Sequence, residues 1–194
     1  GTSSGTVLVN DIRPGPTGMN GFSLSFFKVN AGGVLYFAAN DGATGEELWR
    51  SDGTSSGTVL VKDIVAGTGV SNPRALTNVD GILYFQALAL SFGTELWRSD
   101  GTSSGTTLVR NIRPGSAGSF PDVMANLDGV LYFRANDGTT GNELWQSNGT
   151  SSGTLLVRDI QPGIGPSYPA MLTAAGSTLF FTANDGLSGT EVFA

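Results

Sequence analysis

An all-β fold is expected, and three observations carry that expectation. The segment Gly-Thr-Ser-Ser-Gly-Thr occurs four times, at Gly1–Thr6, Gly53–Thr58, Gly101–Thr106 and Gly149–Thr154. Glu-Leu-Trp recurs at Glu47–Trp49, Glu95–Trp97 and Glu143–Trp145 and returns as Glu191-Val192-Phe193, each time 48 residues on. Gly or Pro interrupts every stretch of about ten residues, so no window keeps the 3.6-residue apolar stripe of a helix. A period of this length marks a propeller, a solenoid or another modular array, in which one unit cannot bury its apolar face alone.

The third copy shows the elements in order. Thr107-Leu108-Val109-Arg110-Asn111-Ile112 is a β-rich run closed by Arg113-Pro114-Gly115, and a loop of Gly, Ser and Pro continues to Pro121. Val123–Leu127 is a short strand ended by Asp128-Gly129. Val130–Ala135 is the next, and Asn136-Asp137-Gly138 turns the chain. Glu143-Leu144-Trp145-Gln146 is the last, closed by Asn148-Gly149. Short β-branched and aromatic runs bounded by Asn-Gly or Asp-Gly are strong hairpin signals. Apolar residues fall on both faces of the Leu-Tyr-Phe strands, as in a sheet covered on two sides. Four strands per repeat, each small sheet sandwiched by its neighbours, describe a propeller blade, whereas a solenoid of this period needs a helix or longer strands.

The expectation is therefore a single β-propeller domain over residues 1–194, with four four-stranded blades and about sixteen strands. The blades span approximately 13–64, 65–112, 113–160, and 161–194 completed by 1–12. The sequence opens on an outermost strand and closes after Glu191–Phe193, a third strand. Pairing of Val7-Leu8-Val9 beside Glu191-Val192-Phe193 is expected to cover the exposed edge and close the ring within one chain. Strand exchange between chains is the alternative.

The copies differ in informative places. Ile64, Ile112 and Ile160 are 48 apart, but Ile12 and Ile64 are separated by 52, which puts four extra residues between Arg13 and Gly33. The second copy replaces the Asn-Asp-Gly turn with Leu88-Ala89-Leu90.

Composition narrows the function. The 194 residues carry 16 Asp and Glu against 10 Lys and Arg, for a net charge of −6, which argues against a nucleic-acid partner. The absence of Cys and His removes disulfides, thiol chemistry, the usual general base and the commonest metal ligand. No apolar run approaches the ~20 residues of a membrane-spanning helix, so membrane insertion is not expected. The opening at Gly1, in mid-repeat and without an initiator Met, reads as a processed product or an excised piece of a longer array.

The phrase Glu-Leu-Trp-Arg-Ser-Asp-Gly-Thr, at Glu47–Thr54 and Glu95–Thr102, resembles the bacterial repeat family defined by the pattern ELW-any-any-DGT. The resemblance covers the whole chain. It implies a secreted or cell-surface array. Asn148 in place of Asp, and Val192-Phe193 in place of Leu-Trp, depart from the pattern while keeping a turn residue and a core contact. A looser likeness to WD-repeat blades implies that Met124-type strands are innermost, followed by Leu-Tyr-Phe, Glu-Leu-Trp and, outermost, Thr-Val-Leu-Val.

Trp49, Trp97, Trp145 and Phe193 read first as wedges between blades, because a buried aromatic covers much area. Glu47, Glu95, Glu143 and Glu191 read as acceptors for amides of the preceding turn or as partners of an Arg. Asp52, Asp100 and Asn148 read as turn residues that bond the next amides.

The turns at Asn40-Asp41, Asn136-Asp137 and Asn184-Asp185 share a face with the Pro-Gly loops, and with Phe120 and Tyr168. Planar amides and carboxylates for hydroxyls, beside aromatic rings for C–H groups, make the mixture that sugar recognition uses. These eight residues are the candidate ligand-binding set, although Asn-Asp-Gly is also simply a turn. No cofactor is expected. Calcium suits the oxygen ligands, but Asp41–Glu46 lacks the alternating Asp spacing of a calcium loop. Nucleophile–base pairs are missing without His or Cys, and an active site is asymmetric whereas these carboxylates recur once per blade. Carboxylate pairs for glycoside hydrolysis remain conceivable across a central channel. The reading is a non-enzymatic extracellular binding or adhesion module, lectin-like, with glycans or surface proteins as partners. Its rival is a structural unit of a surface layer or fibre.

Overall fold

The computed structural model describes residues 5–16, 18 and 28–194. Among them are fifteen β-strands and no α-helix. The first sheet comprises β1 (Lys28–Ala31), β2 (Val34–Asn40), β3 (Glu46–Ser51) and β4 (Val59–Lys62). The second comprises β5 (Arg74–Val79), β6 (Ile82–Ala89), β7 (Gly93–Ser99) and β8 (Thr107–Arg110). The third comprises β9 (Asp122–Leu127), β10 (Val130–Asn136), β11 (Asn142–Ser147) and β12 (Leu155–Arg158). The fourth has β13 (Ala170–Ala175), β14 (Thr178–Asn184) and β15 (Thr190–Phe193). Every sheet is antiparallel and ordered as the chain runs, so each is a meander of hairpins.

Local chemistry accounts for the hairpins. At Asp80-Gly81 and Asp128-Gly129 both turn residues have positive φ, from 50° to 88°, which suits the twist of two-residue hairpin loops. Asn78 Oδ1 and Asn126 Oδ1 accept the Gly81 and Gly129 amides at 2.9 and 3.1 Å. The second copy departs at its other turn as expected. Without Asn-Asp-Gly, β6 and β7 stay paired out to Ala89 opposite Gly93, and Phe92 N–H donates to Ala89 O at 2.9 Å.

The core lies between sheets. Leu83, Phe85, Ala87 and Trp97 of the second sheet pack on Tyr36, Leu48 and Val61 of the first. Tyr84, Leu96 and Val109 of that second sheet pack on Leu131, Phe133 and Trp145 of the third. Adjacent residues Tyr84 and Phe85 thus serve different cores, because a strand alternates its side chains and both faces here are covered. Trp49, Trp97 and Trp145 are all buried, which bears out their packing role. Phe193 takes the same position and stacks on Phe181 with ring centroids 5.6 Å apart. Trp97 also stands opposite Leu108, just after a register shift that recurs at Trp49 and Trp145.

The first strands of successive sheets, β1, β5, β9 and β13, lie against one another, so they are innermost and the Thr-x-Leu-Val strands outermost. Among the described residues β15 pairs with β14 alone, and the expected pairing of Val7-Leu8-Val9 with Glu191-Val192-Phe193 is not formed. Residues 5–12 are held by the first sheet instead. Asn10 Nδ2 donates to Ser55 O and Thr58 O at 3.1 and 3.3 Å, and Ile12 packs on Phe37, Ala39 and Trp49. The long connection expected after Pro14-Gly15-Pro16 falls largely outside the described residues.

Candidate ligand face

Each sheet is tied to the next through one carboxylate. Glu47, Glu95 and Glu143 have no exposed surface. Glu47 accepts the amides of Ile64, Val65 and Ser71 and the Ser71 hydroxyl, the last at 2.5 Å. Glu95 accepts from Ile112 N, Arg113 N and Ser119 Oγ, and Glu143 from Ile160 N, Ser167 N and Ser167 Oγ. The expected partners were the preceding turn or an Arg. The actual donors come from the segment after the outermost strand, 17 to 24 residues later, because that segment folds back over the start of the third strand on its way to the next sheet. Burial pushes all three carboxyls up, and the serine and amide bonds partly counter it.

The carboxylate places the serine, and the serine places the ligand face. Ser71 O, Ser119 O and Ser167 O accept the amides of Leu88, Asn136 and Asn184, where the turns between the second and third strands begin. Phe120 follows Ser119 and Tyr168 follows Ser167, so Phe120 stands beside Asn136-Asp137 and Tyr168 beside Asn184-Asp185. Asn72 takes this position in the second sheet. For Asn40-Asp41 the corresponding segment lies outside the described residues.

Both aromatics are more than half exposed, at 56% and 57%. Their backbones are left-handed, with φ of 50° and 49°. That conformation is an outlier for a bulky residue and is retained only where surrounding bonds impose it. Phe120 N–H donates to Thr94 O at 3.1 Å and Tyr168 N–H to Asn142 O at 3.1 Å, which anchors both to the preceding sheet.

The Asn-Asp-Gly turns bond chiefly to themselves. Asn40, Asn136 and Asn184 Oδ1 accept the amides of Gly42, Gly138 and Gly186, each at 2.7 Å. Asp137 Oδ1 accepts Thr139 N and Thr140 N at 2.8 Å; Asp41 and Asp185 repeat this with Ala43 and Thr44, and with Leu187 and Ser188. Burial raises the Asp41 and Asp137 carboxyls, but these amides and the neighbouring hydroxyls outweigh it and hold them below the ordinary value. At Asp185 the Ser188 and Leu187 amides come first in the same lowering. The carboxylates are therefore held in the ionised form, with Oδ1 the atom that accepts the turn amides.

Sequence reasoning missed a residue that faces these turns. Arg113 crosses Gly138 so closely that a Cβ there would stand 3.1 Å from its Nε; Arg13 lies likewise over Gly42 and Gln161 over Gly186. The same position is Val65 before the second sheet, the one lacking Asn-Asp-Gly. Polar residues thus accompany polar turns, a pattern visible at the repeat spacing. A further ion pair, Arg134 Nη2 to Asp122 Oδ2 at 2.6 Å, sits two residues from Phe120.

The Asp-Gly-Thr loops at the opposite ends of these hairpins bond internally and also accept side chains from the preceding segment, such as Lys62 Nζ at Ser103 O and Thr106 O. Asp52, Asp100 and Asn148 Oδ1 each accept the amide and hydroxyl of the Thr two residues on, as expected. Gly101 has φ of 89°, and a Cβ there would lie 2.3 Å from the Tyr36 hydroxyl of the preceding sheet. Among the described residues no group of three Asp or Glu gathers to hold a metal ion. A cavity of about 340 Å³ lies between the third and fourth sheets and one of about 220 Å³ between residues 8–12 and the first sheet, and neither includes any of the eight candidate residues.

No family model and no curated protein matches the chain. A solved endo-arabinase from Bacteroides thetaiotaomicron is similar at 13% identity over 85% of this chain and 72% of its own, with a TM-score of 0.38. At that distance the likeness transfers neither activity nor substrate.

Proposed function

We propose that this chain is a set of propeller blades of the ELW-any-any-DGT type that works outside the cell as a non-enzymatic, lectin-like binding module. The single observation that carries the reading is an exposed aromatic with left-handed backbone next to the serine whose carbonyl holds an Asn-Asp-Gly turn, Phe120 at the Asn136-Asp137 turn and Tyr168 at the Asn184-Asp185 turn. An exposed ring held in an unfavourable conformation has no packing reason to be there, and such outliers cluster at binding sites. The ring offers a face to sugar C–H groups, and Asp Oδ2 and Asn Nδ2 offer acceptor and donor to hydroxyls. Sites of this kind repeated around one face bind weakly one by one and gain by avidity.

The rival reading, a structural unit of a surface layer or fibre, is favoured by the self-bonded turns, whose Oδ1 atoms are already occupied. A glycan array probed with the parent chain and with Phe120→Ala/Tyr168→Ala separates the two. Binding that falls at least tenfold in the variant, with an unchanged melting temperature, supports the lectin reading. No glycan signal from the parent chain refutes it.

A further inference from the structure

The turn beside Phe120 and the turn beside Tyr168 differ by one charge. Arg113 and Gln161, 48 residues apart, open the segments that run to Phe120 and Tyr168. Each segment touches its turn at both ends. Ser119 O accepts the Asn136 amide while Arg113 lies over Gly138, and Ser167 O accepts the Asn184 amide while Gln161 lies over Gly186. One short turn is thus bounded by an arginine at its glycine and by the Ser119-Phe120 backbone at its asparagine. The other has a neutral amide in the place of the arginine.

Packing accounts for the stem of Arg113 but not for its guanidinium. A Cβ on Gly138 would stand 3.6 Å from Arg113 Cγ and Cδ and 3.1 Å from Nε. Gln161 covers Gly186 just as well, with Cγ and Cδ at 3.2 and 3.3 Å, so covering the glycine needs no charge. Arg13 repeats the Arg113 pose over Gly42, with Nε at 3.3 Å, so the pose belongs to the repeat position. Among the described residues the ion pairs are Arg74–Glu46 and Arg134–Asp122, and Arg113 is in neither. Its hydrogen bond to Glu95 is made by the backbone amide, which leaves the side-chain donors uncommitted. Asp137 does not pair with it, and Asp137 Oδ1 is taken by the amides of Thr139 and Thr140. Arg113 is half-buried, whereas the Gln161 amide is turned onto its own loop, where a Cβ on Gly165 would stand 2.5 Å from Nε2.

We infer, on the lectin-like reading above, that the Phe120 site takes a sugar bearing a carboxylate, such as a uronate, and that Arg113 selects it. A guanidinium presents two parallel N–H groups to a carboxylate, and such charge-assisted bonds are about twice as strong as neutral ones. The ring of Phe120 serves the C–H face of the same saccharide. Gln161 offers an uncharged amide, so the Tyr168 site takes neutral sugars. The net charge of −6 sets a limit on the ligand. A densely charged polyanion is repelled by the chain as a whole, while a single carboxylate is governed by the arginine beside it.

A glycan array that carries carboxylated glycans beside their methyl esters, together with neutral glycans, tests this assignment. The parent chain should bind a carboxylated glycan about tenfold or more above its ester, the worth of one charge-assisted hydrogen-bonded pair. Arg113→Gln installs the residue found before the fourth sheet and should bring that ratio to about one at an unchanged melting temperature. Gln161→Arg should raise the carboxylated signal above that of the parent, and it decides the matter alone if Arg113→Gln does not fold. A parent chain that binds glycans without preferring acid to ester overturns the inference and leaves the lectin-like reading standing. A preference that survives Arg113→Gln, or no gain from Gln161→Arg, overturns it as well. Silence on every glycan removes both together.

Discussion

Glu95 accepts a 2.5 Å hydrogen bond from the hydroxyl of Ser119, 24 residues further along and already on its way into the next sheet. The same pair is made by Glu47 with Ser71 and by Glu143 with Ser167. This one bond couples the third strand of a sheet, the end of its outermost strand and the start of its neighbour. The Glu read from the sequence as an acceptor of amides is thereby a tie between sheets, and the candidate ligand face is built on top of it.

Glu95→Ala should destabilise the chain by roughly 3 kcal/mol or more, because it strands two amides and a hydroxyl at a site without water access. Urea unfolding monitored by tryptophan fluorescence measures the loss. A change below about 1 kcal/mol would mean the donors find other partners.

Stability should peak at mildly acidic pH. The buried Glu carboxyls have raised folded-state values, so their favourable contribution is complete below the ordinary Glu value of about 4.3 and is lost as pH rises through the folded one. The Asp turns act oppositely: held below about 3.9, they contribute above that value and fade as pH falls through the folded one. Melting temperature scanned from pH 3 to 8 checks both limbs, at values of order those carboxylate pKa ranges. Glu95→Gln should flatten the alkaline limb alone, and a slope unchanged by it would remove the assignment.

Trp97→Ala should cost about 3–5 kcal/mol, since the ring fills the junction between the first two sheets against Leu48, Val61 and Phe85. A calorimetric melt within a degree or two of the parent would contradict that packing.

Much of the architecture was legible in the residues themselves. Asp80-Gly81 and Asp128-Gly129 specify tight hairpins through local backbone sterics, and the 48-residue return of Glu-Leu-Trp specifies how many sheets there are and in what order their strands run. The alternation of Leu83, Tyr84 and Phe85 shows that both sheet faces are covered, because period-two side chains that are all apolar need two cores. Of the candidate site, the turns and the two aromatics were readable, together with their common face.

Tertiary structure alone decided the rest. The Glu–Ser tie, Arg113 across Gly138 and the left-handed Phe120 all depend on a segment crossing from one sheet to the next, and repeat spacing carries no information about where such a segment folds back. The pairing of β15 with β14 alone among the described residues was decided in the same way. Pairing of Val7–Val9 with Glu191–Phe193 satisfies every local rule, yet it requires the accumulated rotation from sheet to sheet to bring the two ends together. That rotation is a sum over packed side chains at three junctions, which only the assembled structure evaluates.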